Sequence, residues 1–413
     1  MRKMNAWLDH HLGYVLVIPA LIFIILFSLW PVAQSTRFSF FDFQLNDQQK
    51  SGLYFTEQYN LKLMHETFDY IDYYLEIEKD TVKQSSTQER IQDTQQEILE
   101  IYESIQAMFP GQTGIVSIND QEHEFLVKAS DQVLAGLEAL YRIEDDFNLQ
   151  EDIMMVASEL ETSIIQPNYV GLKNFQSVLR DPRVWQTIRV TLFFTSISVG
   201  MELVFGLILA LIMNKAMIGR GLIRTFSLIP WAIPTSVAAL MWAYLYNGSS
   251  GIVALILARV GIVEQATDLM LTSSSALWSI IFADVWKTTP YFALLLLAGL
   301  QVIPDSLYES AMLDGANKWK QFLHITLPLL KPSILVALLF RTLDAFRIFD
   351  LIWVLTGGGP GGTTESISIY GYKVMFAQTR FGYGAAIILV MALCVGVISY
   401  LYIKFLDIQL ISD

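Results

Sequence analysis

Apolar residues fall into six long runs, roughly Gly13–Ala33, Thr187–Met213, Phe226–Tyr246, Ala276–Gly299, Ser333–Leu355 and Tyr383–Phe405. Each meets the ~20 residues that a helix rising about 1.5 Å per residue needs to cross about 30 Å of hydrocarbon. The pattern predicts six membrane-spanning helices. No small-x-small cleavage motif follows Trp30-Pro31, so the first run reads as a retained span rather than a cleaved signal. Between the first and second runs the periodicity changes. Leu61, Met64, Phe68, Ile71, Leu75 and Val82 step by threes and fours, with Glu78 occupying one expected apolar position. Ile91, Ile98 and Ile105 step by sevens, then Val133, Leu137 and Leu140 continue, then Ile153, Val156, Leu160 and Ile164. Narrow apolar stripes on polar helices pack against one another. With breaks at Ser85–Gln88, Pro110–Gly114 and near Phe147, three or four antiparallel helices are expected, with a short extended piece after Pro110.

Composition agrees with this division. The chain is 53% hydrophobic and 16% charged, too apolar for a water-soluble protein of 413 residues. The net charge of −13 is unevenly spread. Asp42–Arg183 holds 27 acidic and 10 basic side chains, a charge of −17, and the remainder carries +4. An acidic, water-facing block is thus spliced into a mildly basic membrane protein, giving expected domains at 1–41, 42–167 and 168–413. The single cysteine, Cys394, excludes an internal disulfide, and no acidic or histidine cluster has metal-ligand spacing.

Short loops rich in Lys and Arg face the cytoplasm. Arg2 and Lys3, then Lys215, Arg220 and Arg224, then Lys318, Lys320 and Lys331, and finally Lys404 fall on one side if the N-terminus is cytoplasmic. Both termini are expected inside and the acidic block outside.

Candidate chemistry lies within the spans. Pro230 and Pro234 interrupt the third run, and broken backbone in a membrane is tolerated only against protein or a water-filled path. A simple proline kink accounts for the same residues. Arg341, Asp344, Arg347 and Asp350 recur every three residues in the fifth run, and Asp284 and Lys287 form a similar pair in the fourth. Charges at that depth are costly and favour a protein interior or an aqueous cavity. The candidate translocation path is therefore Pro230, Pro234, Trp242, Asp284, Arg347 and Asp350. A salt-bridge ladder that locks helices is the structural alternative, and Glu202 stands isolated. The glycine run Leu355–Ser366 lacks the Gly-Lys-Ser/Thr of a phosphate loop and reads as a tight turn. No nucleophile–base pair and no basic, aromatic-interleaved stripe for nucleic acid appears, so neither catalysis nor a cofactor is expected.

The stretch Glu309–Pro332 reads ESAMLDGANKWKQFLHITLPLLKP and predicts a short helix, a turn and a capped re-entry into the next span. Gly315 suits close backbone approach, and Pro332 suits the first turn of the following helix. This stretch resembles the EAA loop of permease subunits in binding-protein-dependent ABC importers. Glu309, Ala311, Asp314, Gly315, Ala316, Phe322, Pro328 and Pro332 match it, while Ser310 replaces a customary alanine. The segments YVGLKNF, LIPWAIPTSVAALMW, DVWKTTPYFALLLLAGLQVIP and FDLIWVLTGGGP resemble the sugar-type, maltose/glycerol-phosphate permease-like members. The acidic insert departs from that family pattern.

The resemblance implies an all-α polytopic membrane protein: six transmembrane helices of the type I importer permease fold, here with an inserted extracytoplasmic helical bundle. It implies a subunit of the bacterial cytoplasmic membrane that moves a sugar or sugar derivative by alternating access. Glu309, Ala311, Asp314, Gly315, Ala316 and Phe322, within a cytoplasmic loop 300–332, would dock a separate ATPase. Implied partners are ATPase subunits, a sister permease (most simply a heterodimer), a soluble solute-binding protein and the lipid bilayer, with no nucleic acid. An ion-coupled carrier would leave the Glu309 loop without a purpose. A membrane receptor with a helical outer sensor would have two spans and a long cytoplasmic coiled coil.

Overall fold

The computed structural model describes residues 17–142, 147–215 and 219–411. Arg2 and Lys3, which entered the orientation argument, lie outside them. Two compact units emerge: Phe40–Gly171 with Thr379–Gly382, and a second made of Met1–Ser39, Leu172–Gln378 and Tyr383–Asp413.

Among its described residues the second unit contains five helices long and apolar enough to cross a membrane, or six if one bent pair counts as a single span. Val17–Phe38 buries no side chain within the chain. Pro182–Asn214 starts sharply because Asp181 accepts from the Arg183 amide and Pro182 follows at the first helical position. Its buried residues include the small or polar Thr191, Thr195, Ser198, Glu202, Gly206 and Ala210 beside the larger Val184, Phe194, Val199 and Met213, and the helix packs on Ser273–Leu300. Without a hydrophobic drive between helices in lipid, close approach of small residues supplies the contact.

Two expected spans change shape. The third run is not a continuous helix: Gly221–Ala232 and Thr235–Leu245 meet at 90°, where Ile233 is extended and Pro234 has no amide hydrogen. The fifth span is displaced toward the N-terminus. It runs Lys318–Phe346, and Asp350–Leu355 is a separate short helix. Pro332 does not open this helix but lies inside it. The re-entry is capped earlier, where the Asn317 side chain accepts from the Lys320 amide. A wide turn at Phe322–Thr326 precedes the prolines. The last span is Phe381–Phe405 within a helix reaching Ile411.

In the Phe40–Gly171 unit, Leu61–Thr81, Ser85–Met108, Asp120–Tyr141 and Gln150–Thr162 form a four-helix ring, each packed on the next and the last on the first. Met64, Phe68, Ile71, Leu75, Ile91, Ile98, Val133, Leu137, Ile153 and Leu160 are buried in one core. The unit is not purely helical. Gln58–Asn60 pairs antiparallel with Ile115–Ser117 on one side and with Ile164–Ile165 on the other. The strand after Pro110 carried a sequence signal. The other two strands, three and two residues long, are too short for a period to show.

Candidate translocation site and coupling loop

Arg341 organises the membrane unit. It is 2% exposed and reaches carboxylates on two other spans. Nε donates to Glu202 Oε2 at 2.6 Å, Nη2 donates to Asp284, and Nη1 reaches Asp344 Oδ2 at 2.9 Å on its own helix. The Thr288 hydroxyl lies 2.7 Å from Glu202 Oε1. A guanidinium, with five donors in a planar fork, suits three carboxylates approaching from different directions. Glu202 is therefore not isolated, and Arg341, the first residue of the charge series, is its most enclosed member.

The remaining expected pairs do not form. Lys287 does not partner Asp284: its Nζ donates to the carbonyls of Ile233 at 2.9 Å and Trp231 at 3.4 Å. The ladder of steps of three reduces, among the described residues, to Arg341–Asp344. It fails because the helix ends at Phe346, so Arg347 and Asp350 leave the face that a continuous helix would give them. Both are exposed, and Arg347 Nε donates to the Leu343 carbonyl.

A cavity of about 420 Å³ collects these groups. Asp284, Arg347 and Asp350 line it with Lys287, Arg341 and Asp344. Trp231 and Thr235, beside Pro230 and Pro234, close one wall. Trp242 is elsewhere, buried against Tyr246, Phe282 and Trp286 with ring centroids 5.0–5.6 Å apart. Thr288 and Phe349 also line the cavity. Sequence reasoning missed them because neither is charged nor breaks a helix.

The Glu309 loop has a different character. Asp305–Leu313 buries no residue. At its end the Ala316 amide donates to Ala311 and the Gly315 amide to Met312, with Gly315 at φ +80°. This is the paired closure that a helix makes through a left-handed residue. Gly315 has nothing within 4 Å of where a Cβ would sit, so its local requirement is the turn rather than crowding. Glu309 and Asp314 are exposed and Ala311, Ala316 and Phe322 half-buried. Leu313 is 91% exposed and Trp319 66%. Tyr308 Oη, 3.0 Å from Thr326 Oγ1, ties the loop to the following span.

The glycine run is a tight turn with positive φ at Gly357, Gly358, Gly361 and Gly362. It is anchored by Glu365, which is buried and accepts from Arg183 Nε and Lys373 Nζ, each at 2.8 Å.

The membrane unit thus combines a polar cavity among its long apolar helices with an exposed loop whose tip carries the apolar side chains Leu313 and Trp319, the latter stacked on Phe322. Residues 202–410 match the family described as binding-protein-dependent transport system inner membrane component. The trehalose/maltose transport system permease protein MalF of Thermococcus litoralis is 45% identical over 243 residues, 59% of this chain and 81% of the relative. The trehalose transport system permease protein SugA of Mycobacterium tuberculosis is 44% identical over 57% of this chain and 74% of its own length. A bacterial ABC transporter subunit involved in import of the acidic polysaccharide alginate superposes with a TM-score of 0.53 at 24% identity, covering 58% of this chain and 84% of that one.

The chain belongs to this family. It is a multi-pass inner-membrane permease of a binding-protein-dependent ABC importer, and ATP hydrolysis resides in a separate subunit. The matched region begins at Glu202, so the Phe40–Gly171 unit lies outside it.

Proposed function

We propose that this permease imports a small saccharide of the trehalose/maltose class by alternating access, with the cavity around Asp284, Arg347 and Asp350 forming part of the path. The observation that carries this reading is the cavity itself: exposed charges beside a 90° break in a span. Such groups persist at membrane depth where they meet water or protein. The solute class rests on the similarity to the two trehalose-type permeases. Pro230 and Pro234 shape the wall, whereas the Arg341 cluster holds three helices in register.

Glu309, Ala311, Asp314, Gly315, Ala316 and Phe322 form the docking face for a cytoplasmic ATPase, supported by the exposure of that helix and its apolar tip. The termini are then cytoplasmic, as the basic residues of the short loops favour, and the 42–167 insert stands outside the membrane, where it contacts the solute-binding protein. The assembly contains a sister permease beside this chain, in a heterodimer.

The test is reconstitution of the purified importer in liposomes with labelled trehalose and maltose. Glu309→Lys should abolish ATP-driven uptake and ATPase co-purification while leaving the chain folded; normal uptake overturns the coupling assignment. Single cysteines at Arg347 and Asp350, in a Cys394→Ser background, should react with a small polar thiol reagent in at least one nucleotide state. Protection in every state removes these residues from the path. Deleting the insert should weaken the response to loaded binding protein, and an unchanged response rejects its docking role.

A further inference from the structure

The third span breaks between two packing environments. Gly221–Ala232 lies against Ser273–Leu300, whereas Thr235–Leu245 packs chiefly on the short helix Asp350–Leu355. Pro234 has no amide hydrogen to give to the carbonyl four residues earlier. Ile233, at φ −72° and ψ 132°, turns the chain out of the helical ladder. Carbonyls at such a point need donors from elsewhere, because lipid supplies none.

Lys287 supplies them. Its side chain is 7% exposed and Nζ reaches the carbonyls of both Trp231 and Ile233. An ammonium has three donors and no acceptor, and a cation is favoured at the carbonyl end of a helix. One turn further along the same face, the Tyr291 ring stacks on Trp231, with centroids 5.5 Å apart and planes at 15°. The Ser273–Leu300 helix therefore grips the break twice. Asp284, which binds Arg341, precedes Lys287 by three residues, so one helix face carries both the ion cluster and this grip.

We propose that Lys287 is a positioning residue: it replaces the missing backbone donors at the break and, with Tyr291, fixes the first half of the third span to the fourth. The two then move as one piece, and the chain flexes on the Thr235 side of the corner. Lys287 acts through the backbone of Trp231 and Ile233 and requires no contact with solute. The bend can be read on this chain alone, so the proposal survives or fails separately from the reading of the cavity as a path.

Spin labels at Phe226→Cys and Leu240→Cys in a Cys394→Ser background flank the corner at exposed positions. Pulsed dipolar spectroscopy of the purified permease should give one narrow distance distribution. Lys287→Met should broaden it, raising the misbent population roughly tenfold, as loss of hydrogen bonds to a charged donor implies. Lys287→Arg, which keeps the donors, should restore the narrow distribution. In the complex with its ATPase, Lys287→Met should lower the maximal ATP hydrolysis rate without changing KM for ATP, and Lys287→Arg should recover it. An unchanged distribution in Lys287→Met overturns the proposal, as does equal loss in the Arg and Met variants. If Lys287→Met does not assemble, Lys287→Leu, which also has no donor, carries the same test with the same criteria.

Discussion

Glu78 in the Phe40–Gly171 unit and Glu202 in the second span are both fully buried carboxylates. Each stands where its helix would otherwise present an apolar or small residue to a packed neighbour. Glu78 is satisfied by backbone: it accepts from the amides of Asn148 and Leu149, at 2.5 and 2.8 Å, where Gln150–Thr162 begins. A helix start has unpaired amides and a positive dipole end, so one carboxylate there needs no counter-charge. Glu202 is satisfied by a cation on a span 139 residues away. In the bundle, apolar burial drives the helices together and the carboxylate only fixes one helix start. Among the spans, lipid is as apolar as the helix surfaces, so small-residue contact and the Arg341 cluster decide which helices meet.

Removing the cation should therefore cost more than removing the cap. Arg341→Met leaves Glu202 and Asp284 buried without a partner, and about 3–5 kcal/mol of stability should go. The purified permease should lose its thermal transition or shift it far downward in size-exclusion thermal assays. Adding Glu202→Gln and Asp284→Asn should recover much of that loss. If the triple variant is no better than Arg341→Met, the cluster is not held by charge balance.

Glu78→Ala should open only the start of one helix, at about 1–3 kcal/mol. Hydrogen exchange across Gln150–Thr162 should accelerate by roughly ten- to hundredfold while the spans are unaffected. Equal acceleration in Leu61–Thr81 would mean that Glu78 holds the whole bundle, which erases the contrast with Glu202.

Gly315→Ala should cost about 1 kcal/mol, because alanine resists the left-handed conformation that closes the helix. Coupling should fall modestly, far less than with Glu309→Lys. A complete loss in Gly315→Ala would indicate close backbone approach by the partner.

Acid should release the glycine turn with the smallest effect. Burial alone would raise the Glu365 carboxyl, but hydrogen bonds and charge from Arg183 and Lys373 hold it below its ordinary value of 4.5. A depressed folded value means that this stabilisation is complete above the ordinary value and fades as pH falls through the lowered one. The wild-type melting temperature should drop across that acidic window, and Glu365→Gln should flatten this part of the profile. An identical acid slope in the variant would remove Glu365 as the titrating group.

Sequence and structure agree where a residue's role is local. Run length sets the positions of Pro182–Asn214, Ser273–Leu300 and Phe381–Phe405 to within a few residues, because hydrocarbon thickness demands it whatever the neighbours are. The turn after Asp305–Leu313 is legible for the same reason, although Gly315 serves it through left-handed backbone rather than through the close approach read from the sequence. In the insert, Met64, Phe68, Ile71 and Leu75 announce their buried face through spacing.

Where a role depends on a distant partner, spacing misleads. Asp284 and Lys287 are three apart and opposite in charge, yet each binds another helix. The charge series in the fifth run implies a continuous ladder, but that helix stops at Phe346 without glycine or proline. Ser366 Oγ, eighteen residues on, donates to the Ile348 carbonyl that the ending exposes. By itself the sequence determined which stretches are apolar enough to span a membrane, which form the acidic insert and where the Glu309 loop turns, since those follow from hydrophobic length, periodicity and local backbone preference. Only the tertiary structure decided which buried charges meet, how sharply the third span bends and what lines the cavity, because a charge in low dielectric takes whatever partner the packing of helices brings within hydrogen-bonding reach.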